Sequence, residues 1–225
     1  MRTVRTAAIL PVKTFARAKQ RLGAAVDAPD RSVLAAAMVG VVLAALAAVP
    51  GLDDVVVVTA EERAAAAARE AGVQVVPDPV EAGQSAAAEL GIEAATARGA
   101  TRVLLVPGDC PALDAGEVAA LLERDPGPPS VVIVPDRHGS GTNALLIDPP
   151  DALAPAFGVG SFARHAARAR AGGARVSVAQ AASLALDVDT PGDLAALRAA
   201  LTARPGVAPR TRAVLMRLAP VPTAV

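Results

Sequence analysis

At 225 residues, with a formal net charge of +0 and a pI near 6.7, the chain has no global positive field that would draw it to nucleic acid or to an anionic membrane. Three Phe and no Trp or Tyr leave little aromatic surface for stacking on single strands or sugars, so a base or substrate must be read by backbone groups and small polar side chains. The one cysteine, Cys110, excludes an internal disulfide, suits a reducing cytoplasm, and reads as a small buried apolar residue before it reads as a nucleophile.

Met1 to Thr6 carries two arginines ahead of Ala7-Ala8-Ile9-Leu10-Pro11, an apolar run too short for a signal peptide. Val4–Leu10 predicts a strand, followed by a polar loop with Lys13, Lys19 and Arg21. Asp30 is the predicted cap of a helix over Arg31–Val49. Its uncharged stretch from Val33 falls short of the ~20 strongly apolar residues of a membrane span and reads as a buried domain helix. Val55–Val58 is a β-branched run typical of a strand buried on both faces. Helices are expected over Glu61–Ala71, Gly83–Arg98, Asp114–Glu123 and Ser161–Ala171, and strands over Val73–Val76, Arg102–Val106, Ser130–Val134, Asn143–Ile147 and Arg175–Val178. Leu186–Val188 predicts a short strand, and Thr190-Pro191-Gly192-Asp193 opens the last long helix, to Ala203, with Thr190 at the N-cap, Pro191 at N1 and Asp193 at N3. From Pro205 the chain is proline-rich and lacks a clear period. Residues 205–225 read as a tail or strap, within which Ala213–Leu218 suits a short strand or helix. The alternation predicts a single α/β domain over residues 1–204, with a mostly parallel central sheet and helices on both faces.

In such sheets ligands sit outside the carboxyl ends of the strands. Asp109 follows the Arg102–Val106 strand at that edge. Asp187 and Asp189, at i and i+2 of a strand, would point to one side, and two carboxylates ~5 Å apart repel by roughly 3 kcal/mol at an effective dielectric of about 20. Such a pair survives if it is solvated, if one member is protonated or if a cation bridges it. With no His/Cys cluster, the oxygen set of Asp109, Asp187 and Asp189 suits Mg²⁺ or Mn²⁺ rather than Zn²⁺. Lys13, Lys19 and Arg21 fall on the loop where α/β folds bind phosphates, although GxxxxGK[ST] is absent and a merely solvated basic loop fits as well. Pro135–Asn143 is dense in small hydrogen-bonding groups. Arg137, His138, Thr142 and Asn143 there are candidates for anion or substrate binding, His138 as a hydrogen-bonder rather than a base. Phe157-Gly158-Val159-Gly160-Ser161-Phe162 precedes a helix, with Ser161 its expected N-cap and the free N–H groups suited to phosphate. Arg164 and His165, one turn on, read as surface or supporting residues.

Five stretches occur in order: Pro11-Val12-Lys13 with Ala18-Lys19-x-Arg21-Leu22, Asp109-x-Pro111-x-Leu113, Asp136-Arg137-His138-Gly139-x-Gly141-Thr142-Asn143-Ala144-Leu145, Phe157-Gly158-x-Gly160-Ser161-Phe162 and Leu186-Asp187-x-Asp189-Thr190-Pro191. Together, from about Val4 to Leu201, they resemble the guanylyltransferase family of deazaflavin coenzyme F-420 biosynthesis, which comprises phosphoenolpyruvate and 2-phospho-L-lactate guanylyltransferases. The resemblance implies a GT-A-like nucleotidyltransferase fold and transfer of GMP from GTP to a phosphorylated three-carbon acid, releasing pyrophosphate. It implies divalent metal on Asp109, Asp187 and Asp189, and the three-carbon substrate on Thr142, Gly158 and Ser161. It also implies nucleotide contacts from Lys13, Lys19 and Arg21, with Gly83 and Gln84 toward the guanine. The Ala- and Arg-rich composition resembles the branch that uses phosphoenolpyruvate, and a labile product implies hand-off to the next transferase of the pathway. The competing readings are a molybdopterin guanylyl- or sugar-phosphate cytidylyltransferase, whose glycine-rich loop is replaced here by Pro11-Val12-Lys13; a metal-dependent glycosyltransferase, disfavoured by the scarcity of aromatics; and a non-catalytic nucleotide-binding subunit.

Overall fold

A computed structural model of the chain describes residues 4–23 and 25–218. Among them, strands β1 (Thr6–Val12), β2 (Asp54–Thr59), β3 (Gln74–Pro77), β4 (Arg102–Leu105), β5 (Ser130–Pro135), β6 (Thr142–Asp148) and β7 (Arg175–Val178) form one seven-stranded sheet in the order β3-β2-β1-β4-β6-β5-β7. The helices are α1 (Ala28–Ala47), α2 (Glu62–Glu70), α3 (Gln84–Ala97), α4 (Ala115–Leu122), α5 (Ser161–Ala171), α6 (Ala182–Ala185), α7 (Pro191–Ala203) and α8 (Pro209–Arg217). The sheet is parallel except for β6, which runs antiparallel to both β4 and β5. Val55 to Val58 lie between β1 and β3 and are buried, so each face of that run meets helices.

Alternate residues of the strands feed two cores. Leu10, Val57, Leu104 and Leu146 pack with α1, α2 and α4 on one face, while Ile9, Val58, Leu105 and Leu145 pack with α3 and α5 on the other. A third cluster lies beyond α1, where Leu34 and Met38 meet Leu194 and Leu197 of α7 and Val214 and Leu215 of α8. Thus α1 is a middle layer with apolar partners on two sides. That is why this 20-residue helix reaches a mean hydropathy of 1.8, enough by length and composition for a membrane span, while acting as a core helix.

Several boundaries differ from expectation. Asp27, rather than Asp30, caps α1: its carboxylate accepts the Asp30 N–H at 2.9 Å, so the helix starts at Ala28 with Pro in its first turn. Leu186–Asp189 joins no strand ladder among the described residues. It is an extended link between α6 and α7, because Val188 goes into the third cluster instead of the sheet. Residues 209–217 take up the helical alternative as α8. Residues 219–225 of the expected tail, and Met1 to Thr3, lie outside the described residues.

Helix α3 approaches the sheet through Gly91. A Cβ there would collide with Ile9 and come within 3.0 Å of Val58 Cγ2. Gly91→Ala gains helix propensity worth up to about 1 kcal/mol, but it overpacks the site at a cost of about 1–3 kcal/mol. We expect a net loss of stability, read as a lower midpoint in urea unfolding; an unchanged or raised midpoint contradicts this packing.

Candidate functional site

The chain runs outward from β1 through β2 to β3 and then returns to β4 on the other side of β1, which makes the β1–β4 carboxyl edge a topological switch point. A cleft of about 690 Å³ opens there, well within the range of small-molecule sites. Lys13, Lys19 and Arg21 line it from the loop after β1, Gly83 and Gln84 from the start of α3, Asp109 from the loop after β4, and Gly158 and Asp189 from the far side. Gly83 takes φ 119°, a backbone open to glycine, and leaves the first N–H groups of α3 without a side-chain cap.

Asp109 and Asp189 are joined through the Lys19 ammonium, and neither Asp187 nor Asp189 comes from a strand. The Val188 N–H donates to the Asp109 carbonyl at 3.1 Å, which fastens the α6–α7 link to the loop after β4. Asp187 and Asp189 flank the fully buried Val188; Asp189 lines the cleft, whereas Asp187 is not among its lining residues. Lys19, held at φ 57°, places its ammonium between Asp109 Oδ2 and Asp189 Oδ1, the latter at 3.1 Å. The Arg21 guanidinium reaches Asp189 Oδ2 at 2.6 Å. Burial alone would push the Lys19 ammonium down, yet the charges of Asp109 and Asp189 outweigh it and hold its pKa above the usual lysine value. Asp187 behaves oppositely. Burial and the charge of Asp109 raise its carboxyl, and the hydrogen bond from Asn143 offsets only part of this. Asp109 Oδ1 is buried without a partner. Among the described residues no three His, Cys, Asp or Glu side chains converge as a ready-made cation cage; Lys19 supplies the positive charge between the carboxylates.

A β-bulge aims the next two residues. Ala144 and Leu146 face the α1 side of the sheet, and Leu145 and Ile147 the α5 side. Strict alternation would send Thr142 with Ala144 and Asn143 with Leu145. Instead the β5–β6 register slips, Val134 pairing with Ala144 and Pro135 with Thr142, and the order inverts. Asn143 Nδ2 donates to Leu184 O at 2.9 Å and to Asp187 Oδ1 at 3.1 Å. Thr142 Oγ1 lies 3.0 Å from His165 Nδ1 on α5.

Other expected site residues stand elsewhere. Arg137 pairs with Asp193 Oδ1 at 2.6 Å. Asp193 is the N3 carboxylate of a complete capping box with Thr190, and it also accepts the Asp189 N–H at 3.1 Å. Arg137 therefore secures the start of α7, and with it Asp189, rather than lining the cleft. His138 is exposed in a turn where its N–H donates to Asp136 Oδ1 at 3.2 Å. Ser161 is not the N-cap of α5. Gly160, at φ 69°, takes that position because the turn needs a left-handed residue, and Ser161 is buried at N1 with its N–H on Gly158 O at 3.0 Å. Cys110 is fully buried, and burial raises its thiol well above the ordinary range, in keeping with a packing role.

Residues that the sequence motifs do not single out support the site. Glu81 Oε1 accepts the Thr14 N–H at 2.8 Å and the Thr14 hydroxyl at 2.7 Å, and Glu61 Oε2 accepts the Phe15 N–H at 2.8 Å. These carboxylates pin the basic loop from the ends of β3 and β2. Their signal was present as acids placed just after strands at the same edge as the lysines. His165 is fully buried rather than superficial: its Nε2 accepts the Ala156 N–H at 2.8 Å and its ring meets Phe157 edge-on at 5.1 Å. Arg164 donates to the carbonyls of Ala156 at 3.0 Å and Val159 at 3.1 Å, closing the loop around Gly158.

The sequence profile described as "Guanylyl transferase CofC like" matches residues 6–199. The chain belongs to this family. Relatives called phosphoenolpyruvate guanylyltransferase include one from Conexibacter woesei, 48% identical over 214 residues and covering 95% of this chain and 96% of its own. Another, from Rubrobacter xylanophilus, is 41% identical over 192 residues, covering 85% and 93%. In fold the chain is similar to a protein described as a nucleotide-diphospho-sugar transferase from Desulfovibrio desulfuricans G20, with TM-score 0.74, 17% identity and coverage of 96% and 95%. It is also similar to a cytidylyltransferase from Leptospira borgpetersenii, with TM-score 0.62, 11% identity and coverage of 99% of each chain. This guanylyltransferase is thus a single-domain nucleotidyltransferase enzyme, with its cleft at the edge where α/β folds carry their ligands.

The Asp187 carboxyl gives a signed stability prediction for this guanylyltransferase. Its folded-state pKa lies above the unfolded value of 3.8, so its ionisation costs stability. The cost is absent below the unfolded pKa, grows as pH rises toward the folded pKa, and is fully present at neutral pH. Asp187→Asn keeps an oxygen for Asn143 and removes the charge. We expect a rise in Tm of the ligand-free protein at pH 7, at about 2–4 °C per kcal/mol gained, that disappears toward pH 3. A Tm lowered at pH 7 contradicts the electrostatic account.

Proposed function

We propose that the enzyme transfers GMP from GTP to the phosphate of phosphoenolpyruvate and releases pyrophosphate, as a step of deazaflavin coenzyme F-420 formation in the cytoplasm. What carries the reading is the Conexibacter woesei relative, 48% identical and named for this activity, joined to a cleft whose rim holds Lys13, Lys19, Arg21, Asp109 and Asp189.

An acceptor phosphate is largely ionised near neutrality, its second pKa being about 6. One of its oxygens attacks the α-phosphorus of GTP, the α–β bridging P–O bond breaks, and the electron pair leaves with pyrophosphate. No strong base is needed, which agrees with a cleft lacking a catalytic His–Asp pair among its lining residues. The barrier is the meeting of two anions, so charge cancellation and alignment do the work. Lys13, Lys19 and Arg21 neutralise the triphosphate. The uncapped start of α3 at Gly83 and Gln84 receives the guanine end. Thr142, Gly158 and Ser161 hold the three-carbon acid.

The donor set fits Mg²⁺ or Mn²⁺. It consists of hard oxygens, one of them a buried Asp109 oxygen without a partner, beside an Asp187 carboxyl that lacks a cation. Asp109, Asp187 and Asp189 would hold the ion, with Lys19 moving from the carboxylates to the phosphates. Bound there, the ion would supply charge neutralisation at the α-phosphate and the leaving pyrophosphate.

In a pyrophosphate-release assay with Mg²⁺, Asp187→Asn is expected to lower kcat by about 10³-fold, the scale of losing one electrostatic stabiliser, while remaining folded. Turnover within tenfold of the parent removes Asp187 from the metal set. Acceptor choice is tested with GTP and, in parallel, phosphoenolpyruvate, 2-phospho-L-lactate and 3-phosphoglycerate, read by mass spectrometry with the next transferase present to consume the labile product. Phosphoenolpyruvate should give the highest kcat/KM. A higher value with 2-phospho-L-lactate reassigns the acceptor, and release of pyrophosphate with none of the three overturns the proposal.

A further inference from the structure

His165 belongs to no part of the chemistry described so far, yet it is the only histidine inside the molecule. It is fully buried, whereas His138, the other of the two in the sequence, is exposed. Its two ring nitrogens join segments far apart in the chain. Nε2 accepts the Ala156 N–H at 2.8 Å, just before the Phe157-Gly158 turn that reaches the cleft, and Nδ1 lies 3.0 Å from Thr142 Oγ1 at the bulged start of β6. The Phe157 ring and the Arg164 bonds to the Ala156 and Val159 carbonyls hold the loop and the ring together.

These contacts fix the tautomer. A backbone N–H can only donate, so Nε2 must present its lone pair. A neutral imidazole has one N–H, and it therefore resides on Nδ1. Burial, aided by the charges of Arg164 and Arg168, lowers the ring pKa to about 4, so the ring is neutral in the physiological range. Nδ1–H consequently donates to Thr142 Oγ1, and the Thr142 hydroxyl must direct its own proton elsewhere. Among the described residues no protein group receives that proton.

We propose that His165 is a positioning residue for the acceptor. It makes Thr142 an obligate hydrogen-bond donor toward an anionic oxygen of the three-carbon acid, and it ties that donor to the Gly158 loop so that both meet the acid in one fixed geometry. The inference rests on the assignment of Thr142 and Gly158 to the acceptor. Thr142 is buried and lies outside the residues that line the cleft, and a hydroxyl whose proton is turned away from His165 favours an acceptor oxygen such as that of a carboxylate or phosphate.

The test combines a double-mutant cycle with a measurement on the unaltered protein. His165→Phe keeps the ring packed on Phe157 and removes both nitrogens; His165→Gln offers the Ala156 N–H an oxygen and serves if the Phe variant does not fold. Thr142→Val removes the hydroxyl at constant shape. Loss of a hydrogen bond to a charged oxygen is expected to raise the acceptor KM roughly 10–100-fold in Thr142→Val and in the His165 variant, with the GTP KM unchanged within about twofold. In the double variant the His165 change should add less than it does alone, because the bond through Thr142 is already gone and only the tie to the Gly158 loop is left to lose. Equal rises in both KM values, or full additivity, make His165 a packing residue and overturn the inference alone. An acceptor KM unaffected by Thr142→Val removes Thr142 from the acceptor site, and both readings fall. Independently, long-range ¹H–¹⁵N NMR of the wild-type enzyme, with His138→Gln to assign the two rings, should show His165 protonated on Nδ1 only between about pH 5 and 8. A proton on Nε2, or an imidazolium, overturns the inference whatever the kinetics.

Discussion

The hydrogen bond from Val188 N–H to the Asp109 carbonyl is the constraint on which the site depends. It joins a loop at the centre of the sheet to the link between α6 and α7, and so gathers acidic groups from distant parts of the chain at one rim. Concentrated negative charge is costly in a half-buried place. The cost is distributed in two ways. Lys19 and Arg21 neutralise Asp109 and Asp189, while Asp187 is held by hydrogen bonds from the Asn143 amide and the backbone and keeps a raised pKa. The ligand-free enzyme thus holds its basic loop against its acids.

Rigidity around these groups comes from carboxylates that hold nearby backbone N–H groups in place. Asp193 accepts hydrogen bonds from the Asp189 N–H, the Thr190 N–H and the Thr190 hydroxyl, and pairs with Arg137. Burial would raise its carboxyl, but the bonds from Thr190 and Asp189 and the charge of Arg137 lower it, so it remains an ionised anchor. Glu61 and Glu81 do the same for the basic loop. Pre-organisation of this kind lets alignment rather than acid–base chemistry carry a reaction between two anions.

Much of this was legible from residue pattern. The β-branched Val55–Val58 run, the apolar run near the N-terminus and the Thr190-Pro191-Gly192-Asp193 start all formed the elements expected of them, because each depends on local preference or on one buried face. The cleft-lining role of Lys13, Lys19, Arg21, Gly83, Gln84, Asp109, Gly158 and Asp189 followed from their places after strands or before helices. Other residues were misread for identifiable reasons. Val188 sits in a pattern suited to a strand, yet its burial is supplied by α7 and α8 from across the molecule. Arg137 sits in a substrate-like motif, yet its charge goes to Asp193. His165 follows Arg164 on a helix with alternating cations, so nothing nearby signals that it is enclosed.

The sequence by itself determined the α/β alternation, the edge at which the charged side chains of the cleft collect, and the kind of groups available there: oxygen donors and fixed cations without nucleophilic sulfur or aromatic platforms. Those are properties of single residues and short windows. Tertiary structure alone decided that β6 runs antiparallel with a bulge, that Thr142 therefore turns toward α5 and Asn143 toward the α6–α7 link, that α8 covers α1, and that the buried His165 ring lies beside the Thr142 hydroxyl. Each of these depends on a register or a contact between distant segments, and a one-residue slip in such a register reverses which way a side chain points.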